Sequence, residues 1–236
     1  MKLIEYADRE VLAMDLAILI AGELKNALLS HDTVSFAVPG GTTPGPIFDS
    51  LSGANLDWSR VQVMLGDERW VAPDHEMSNA RLLRNRLLVG RAAQAGFTPF
   101  YVDGLTSAEA AETLSPQIES KLPLSVLLLG MGTDMHTASL FPGSNGLEAA
   151  MAVDAPALCP INVDGQDIGR ITLSRRVLEG AMSKHLVIFG DEKRVAVERA
   201  QSLPALEAPI GAVLNEATVH WAVFHRRLYI GHHEFL

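Results

Sequence analysis

The chain predicts an α/β fold, an open doubly wound parallel sheet with helices on both faces and a small antiparallel extension. Three observations carry this. Short β-branched and aliphatic runs at 34–38, 61–65, 126–129 and 186–189 alternate with helical segments near 78–89, 107–120 and 191–202, the pattern of βαβ units. The runs are continuously apolar rather than alternating, as strands covered on both faces must be. Roughly five or six strands are countable, short of the eight units that close a β/α barrel.

Each element follows from its spacing. Over 9–29, Val11, Leu12, Leu16, Leu19, Ile20, Leu24 and Leu28 recur at helical intervals between Glu10, Asp15, Glu23 and Lys25, predicting an amphipathic opening helix. In the segment 78–89, Leu82, Leu83, Leu87 and Leu88 give a dry face and Arg81, Arg84, Arg86 and Arg91 a wet one. Near 157–173, Leu158, Ile161 and Val163 precede Arg170 to Leu173 with no helix between, which predicts the antiparallel extension. No repeat or linker interrupts the chain, so residues 1–236 are expected to form one domain.

Composition excludes several classes. With 28 acidic against 19 basic side chains and a formal charge of −9, there is no basic stripe to neutralise a polyphosphate backbone, so no nucleic-acid partner is expected. The single Cys159 cannot form an internal disulfide, which points to a reducing, cytoplasmic compartment. The start turns charged at Glu5, Asp8, Arg9 and Glu10, and no later stretch is long and apolar enough to span a bilayer, so neither secretion nor a membrane partner is expected. His225, His232 and His233 lack the spacing of a metal site, no metal is expected, and there is no G-x-S-x-G elbow. Oligomeric state is not readable from the sequence.

In an open parallel sheet, ligands bind beyond the carboxyl ends of the strands. After 34–38 comes Pro39-Gly40-Gly41-Thr42-Thr43-Pro44. Its glycines allow close backbone approach, and Thr43 before Pro44 reads as an N-cap, so the turn is either an anion site at a helix N-terminus or a plain strand-to-helix connection. It lacks the lysine of a P-loop and the third glycine of a dinucleotide fingerprint. After 61–65 come Asp67, Glu68 and Arg69, then Ser78 and Asn79 opening a helix. Those charges suit a polyol or one another. After 126–129 comes Gly130-Met131-Gly132-Thr133-Asp134-Met135-His136-Thr137-Ala138-Ser139-Leu140-Phe141-Pro142. An aspartate two residues before a histidine can orient the ring, which favours acid–base work over a structural role. After 186–189 come Asp191, Glu192, Lys193 and Arg194, where cations at a helix start suggest either a bound anion or a solvated first turn.

Taken in order, PGGTTP (39–44), GDERWV with SN (66–71, 78–79), GMGTDMHTASLFPG (130–143), RITLS (170–174) and GDEKR (190–194) resemble the 6-phosphogluconolactonases, within the wider group that includes glucosamine-6-phosphate deaminases. The resemblance implies a three-layer Rossmann-like fold and cofactor-free hydrolysis of a sugar-phosphate lactone in the oxidative pentose phosphate pathway. It implies phosphate binding through Gly40, Gly41, Thr42 and Thr43, with Arg170 and Lys193 as cationic partners. His136 would be the base, Asp134 its support, and Asp67, Glu68 and Arg69 would line the substrate site.

The chain departs from the family pattern in three places. Met135 stands where the family usually has glycine, a strained choice if the backbone there has positive φ. Pro209-Ile210-Gly211 replaces a Pro-Ala-Ser pattern, and residues 221–228 lack the usual acidic-alanine ending. Two other functions fit parts of the pattern. A deaminase would want an acid just after the histidine block, and none occurs before Glu148. A non-catalytic sugar-phosphate sensor would normally carry a DNA-binding or partner domain, and no helix-turn-helix or basic patch precedes residue 34.

Overall fold

The computed structural model describes residues 1–223. His225, Arg226, His232 and His233, with the end of the 221–228 segment, lie outside the described residues. Chain order is β1 (Lys2–Tyr6), α1 (Arg9–Ala27), β2 (Val34–Val38), α2 (Gly45–Ser52), β3 (Val61–Leu65), β4 (Asp67–Arg69), α3 (Asn79–Arg86), β5 (Gly96–Thr98), α4 (Ser107–Glu119) and β6 (Val126–Leu129). Then follow α5 (Leu147–Met151), β7 (Leu158–Ile161), β8 (Arg170–Leu173), α6 (Arg175–Glu179), β9 (Lys184–Phe189), α7 (Asp191–Ala200), α8 (Pro209–Val213) and β10 (Thr218–Ala222).

Seven strands form a parallel sheet in the order β1-β10-β9-β6-β2-β3-β5. Every residue of β2 and β6 is buried. Since neighbouring side chains on a strand point to opposite faces, both faces of the sheet centre are covered. The expected antiparallel extension is a second sheet, β4-β8-β7.

Local chemistry places the helices. In α1, Asp8 caps by accepting the Val11 N–H at 2.8 Å, and Leu12, Leu16, Ile20 and Leu24 are buried at steps of one turn. Val11 and Leu19, read with the apolar face, are exposed instead, because apolar residues run around most of this helix. In and just after α3, Leu83 and Leu87 are buried and Arg81, Arg84 and Arg91 exposed as expected, while Leu82, Leu88 and Arg86 are half-buried, Arg86 because it pairs with Asp49. Helix α2 starts later than the sequence suggests: Pro44 occupies the N-cap position without a side-chain hydrogen bond, and Thr43 lies outside the helix. Asp67 to Arg69, which the sequence places only beyond the end of the 61–65 strand, form a strand of their own, β4. At Gly66 the chain steps from one sheet to the other, its N–H donating to the Val38 carbonyl at 2.8 Å and its carbonyl accepting from Leu173 at 2.9 Å.

A buried polar chain lies under α1. The Tyr6 hydroxyl meets His220 Nδ1 at 2.9 Å, His220 Nε2 meets His185 Nδ1 at 3.0 Å, and His185 Nε2 meets the Glu23 carboxylate at 2.8 Å. Burial, reinforced by the neighbouring His185 and Lys2, pushes the His220 ring down to about 4, against the opposing pull of Glu23. Unfolded, this ring takes up a proton near its ordinary 6.5, so between those values the unfolded chain binds more protons and stability falls as pH falls. The loss approaches about 3 kcal/mol at full effect. Urea unfolding at pH 7, 6 and 5 should show falling stability, and a flat profile over this range would contradict the assignment.

Candidate active site

The chain runs from β2 outward through β3 to β5 and then returns to place β6 on the other side of β2. The connections leaving β2 and β6 therefore diverge, and such a switch point leaves a crevice at the carboxyl ends of the strands. A cavity of about 420 Å³ occupies it, lined by the 39–44 turn, β4, the start of α3, the 130–141 segment, Arg170 and Lys193.

The 39–44 turn needs its glycines. A Cβ on Gly40 would overlap the Asn79 side chain, and Gly41 has φ +82°, where a side chain is strained. Gly40, Gly41, Thr42 and Thr43 all border the cavity.

The second sheet supplies the charges. In the β4–β8 register Asp67 faces Thr172 and Arg69 faces Arg170, so one face presents two guanidinium groups and one carboxylate to the cavity. Asp67 accepts the Ser139 hydroxyl at 2.5 Å, and Asn79 Nδ2 donates to the Asp67 carbonyl at 2.9 Å. Arg69 donates to the Met77 carbonyl at 2.9 Å and to Asn79 Oδ1 at 3.1 Å. Among the described residues, the buried Nε groups of Arg69 and Arg170 have no acceptor.

Glu68 corrects the sequence expectation. Strand alternation turns it to the other face of β4, fully buried and absent from the cavity lining. Its carboxylate accepts the N–H groups of Asn79 at 2.7 Å, Ala80 at 2.8 Å and Arg69 at 2.9 Å, and the Ser78 hydroxyl at 3.2 Å. It thereby caps α3 from below. Burial pushes this carboxyl up against the pull of those N–H groups, and the net shift is upward.

Beyond β6 the chain makes a tight loop. The Met135 N–H donates to the Gly132 carbonyl at 3.0 Å, and the Gly132 N–H to the His136 carbonyl at 3.1 Å. Met135 has φ +66°, the strained conformation its replacement of glycine implied, and its carbonyl accepts the Ile210 N–H at 3.2 Å. His136 Nδ1 lies 2.6 Å from Asp134 Oδ1, and that oxygen also accepts the His136 backbone N–H at 3.3 Å. Facing a carboxylate, Nδ1 carries the hydrogen, which leaves Nε2 of the neutral ring as a base. A Cβ on Gly132 would overlap both this ring and the carboxylate.

Lys193, in the first turn of α7, completes the lining. Burial pulls its ammonium down, helped by Arg9 and opposed by Asp134, and burial likewise pulls the Arg170 guanidinium down. The cavity therefore gathers Arg69, Arg170 and Lys193 around one carboxylate in a chain of net charge −9. Asn79, Ser139, Thr172 and Phe141 also belong to this neighbourhood; they fall within the SN, 130–143 and RITLS segments, but the sequence assigns none of them a role in the site. Ser78-Asn79 carried a usable signal, since it opens a helix directly after the charged segment. Among the described residues, no group of three or more His, Cys, Asp or Glu side chains could hold a metal ion, and no helix is long and apolar enough to cross a membrane.

Fold and site together define a Rossmann-like α/β protein with a cationic switch-point cleft beside a carboxylate-oriented histidine. Residues 7–221 match the family model of glucosamine-6-phosphate isomerases/6-phosphogluconolactonase. A 6-phosphogluconolactonase from Pseudomonas aeruginosa is 40% identical over 220 residues, covering 89% of this chain and 90% of the relative. One from Rhizobium meliloti is 38% identical over 224 residues, covering 92% and 97%. The crystal structure of a 6-phosphogluconolactonase from Shewanella baltica superposes with TM-score 0.85 at 34% identity, covering 94% of this chain and 97% of that one. The chain belongs to the glucosamine-6-phosphate isomerase/6-phosphogluconolactonase family.

Proposed function

We propose that this protein is a carboxylic ester hydrolase that converts 6-phospho-D-glucono-1,5-lactone to 6-phosphogluconate, the lactone hydrolysis of the oxidative pentose phosphate pathway, without a cofactor. The observation that carries the reading is the Asp134–His136 pair at 2.6 Å, whose histidine borders a cavity also lined by Arg69, Arg170 and Lys193. In this reading the phosphate sits against Gly40, Gly41, Thr42 and Thr43 with Arg170 and Lys193, and Asp67 and Arg69 face the sugar. Residues 1–236 act as one catalytic domain, in the cytoplasm.

The chemistry follows from the residues. His136 Nε2 takes a proton from water as the water oxygen bonds to C1 of the lactone, while Asp134 stabilises the imidazolium that forms. Collapse of the tetrahedral intermediate breaks the bond from C1 to the ring oxygen, and the imidazolium returns its proton to that oxygen. In this reading Arg69 offsets charge on the carbonyl oxygen, supported by its place in the cavity lining. Binding the remote phosphate positions the reacting carbonyl.

The lactonase reading is preferred to a deaminase because Glu148, the first acid after the histidine block, is exposed on α5 and absent from the cavity lining. Offered 6-phosphogluconolactone and glucosamine 6-phosphate separately, the protein should clear the first and release no ammonia from the second. The opposite pattern would reverse the assignment. Lys193→Ala should raise KM by about tenfold with kcat nearly unchanged, the loss of one charge-assisted contact to the phosphate. An unchanged KM would remove Lys193 from phosphate binding.

A further inference from the structure

We infer that Phe141 is a positioning residue that fixes the plane of the His136 ring and the place of the Arg170 guanidinium beside it. The inference rests on the lactonase reading for its kinetic consequence, but the contact itself is independent of that reading. The ring centroids of His136 and Phe141 are 4.0 Å apart with planes inclined by 28°, and Arg170 Cζ lies 5.0 Å from the Phe141 centroid. All three side chains border the same cavity.

The physical need is specific. Among the described residues the His136 ring makes one hydrogen bond, through Nδ1 to Asp134, and Asp134 is itself half exposed. One hydrogen bond to a half-exposed carboxylate restrains rotation about the Cα–Cβ and Cβ–Cγ bonds only in part, and such rotation would carry Nε2 away from a bound substrate. A stacked aromatic face removes that freedom. Arg170 has a comparable lack of support: its side chain donates to Gln166 Oε1 at 2.9 Å, while its buried Nε has no acceptor among the described residues. The cation–π contact with Phe141 supplies a second hold.

The chain between the two rings is built to bring them together. Thr137, Ser139 and Leu140 are fully buried, and Ala138 takes φ +50° to close the turn. The Thr137 hydroxyl donates to the Gly130 carbonyl at 2.9 Å, and the Leu140 N–H to the Thr137 carbonyl at 3.0 Å. The Ser139 hydroxyl is tied to Asp67, and the Phe141 carbonyl accepts from the Ser144 hydroxyl at 2.8 Å and the Ser144 N–H at 3.1 Å. Anchored on both sides, residue 141 folds back over residue 136.

The test compares Phe141→Leu, which keeps apolar bulk without a ring, and Phe141→Tyr, which keeps the ring. Proton NMR reads the stack directly: the carbon-bound imidazole protons of His136, identified by their loss in His136→Asn, should be shifted upfield in wild type and Phe141→Tyr and relaxed in Phe141→Leu. Kinetically, Phe141→Leu should lower kcat about tenfold with a smaller rise in KM, and Phe141→Tyr should restore both to within about twofold. Phe141→Leu with wild-type kcat, or His136 signals unmoved by the loss of the ring, would overturn the inference. If wild-type protein fails to hydrolyse the lactone, the function reading falls while the NMR comparison still decides whether Phe141 orients His136.

Discussion

Replacing His136 by alanine is expected to lower kcat by about a thousandfold while leaving KM within about threefold of wild type. The imidazole is the group in the cavity arranged as a neutral base, because Asp134 at 2.6 Å holds the hydrogen on Nδ1 and leaves Nε2 free. Without it, water must attack the lactone unassisted, and the leaving ring oxygen receives no proton from the protein. The cations proposed to hold the substrate, Arg69, Arg170 and Lys193, are untouched, so binding should survive and the loss appear in kcat. A steady-state comparison, with spontaneous hydrolysis subtracted, checks this. Wild-type turnover in His136→Ala would remove His136 from the mechanism.

The second large effect is on stability. Glu68→Ala should destabilise the protein by about 3–5 kcal/mol, a substantial part of the whole for a domain of this size. The carboxylate is fully buried and accepts three backbone N–H groups and the Ser78 hydroxyl. Two of those donors, Asn79 and Ala80, belong to the first turn of α3, where no intrahelical acceptor exists. Alanine would leave them buried and unpaired. Glu68→Gln keeps an acceptor oxygen and should lose less. Equilibrium denaturation of the two variants against wild type reads the difference directly, and a change below about 1 kcal/mol in Glu68→Ala would contradict this account of Glu68.

These two residues also mark what could be seen in the sequence. His136 was legible because its partner lies two positions away and glycines frame the loop, so local spacing carries the chemistry. Glu68 was not legible as a structural group, because its side of the chain depends on 67–69 being a strand, and three charged residues carry no strand signal. Strands β2 and β6 stood out as uninterrupted apolar runs because both their faces are covered. Strand β1 is largely exposed, and β10 carries the buried His220, so neither shows such a run.

The least legible part of the site depends on distant register. Pairing Asp67 with Thr172 and Arg69 with Arg170 joins segments about a hundred residues apart, and that pairing brings Arg170 beside Arg69 and sets Ser139 against both Asp67 and Thr172. Met135 lay between these cases. Its replacement of glycine signalled strain conditionally, and φ +66° met the condition. The strain falls between Asp134 and His136, and it is held by the Ile210 contact from α8, a segment that also departs from the family pattern.

The central claim is that this cavity accelerates opening of a phosphorylated lactone. The most direct measurement generates 6-phosphogluconolactone in situ and follows its disappearance with increasing amounts of the purified protein, against the spontaneous rate in buffer alone. The account predicts a first-order decay whose rate rises in proportion to added wild-type protein and stays near the spontaneous rate with equal amounts of His136→Ala. Decay at the spontaneous rate with wild-type protein would contradict it.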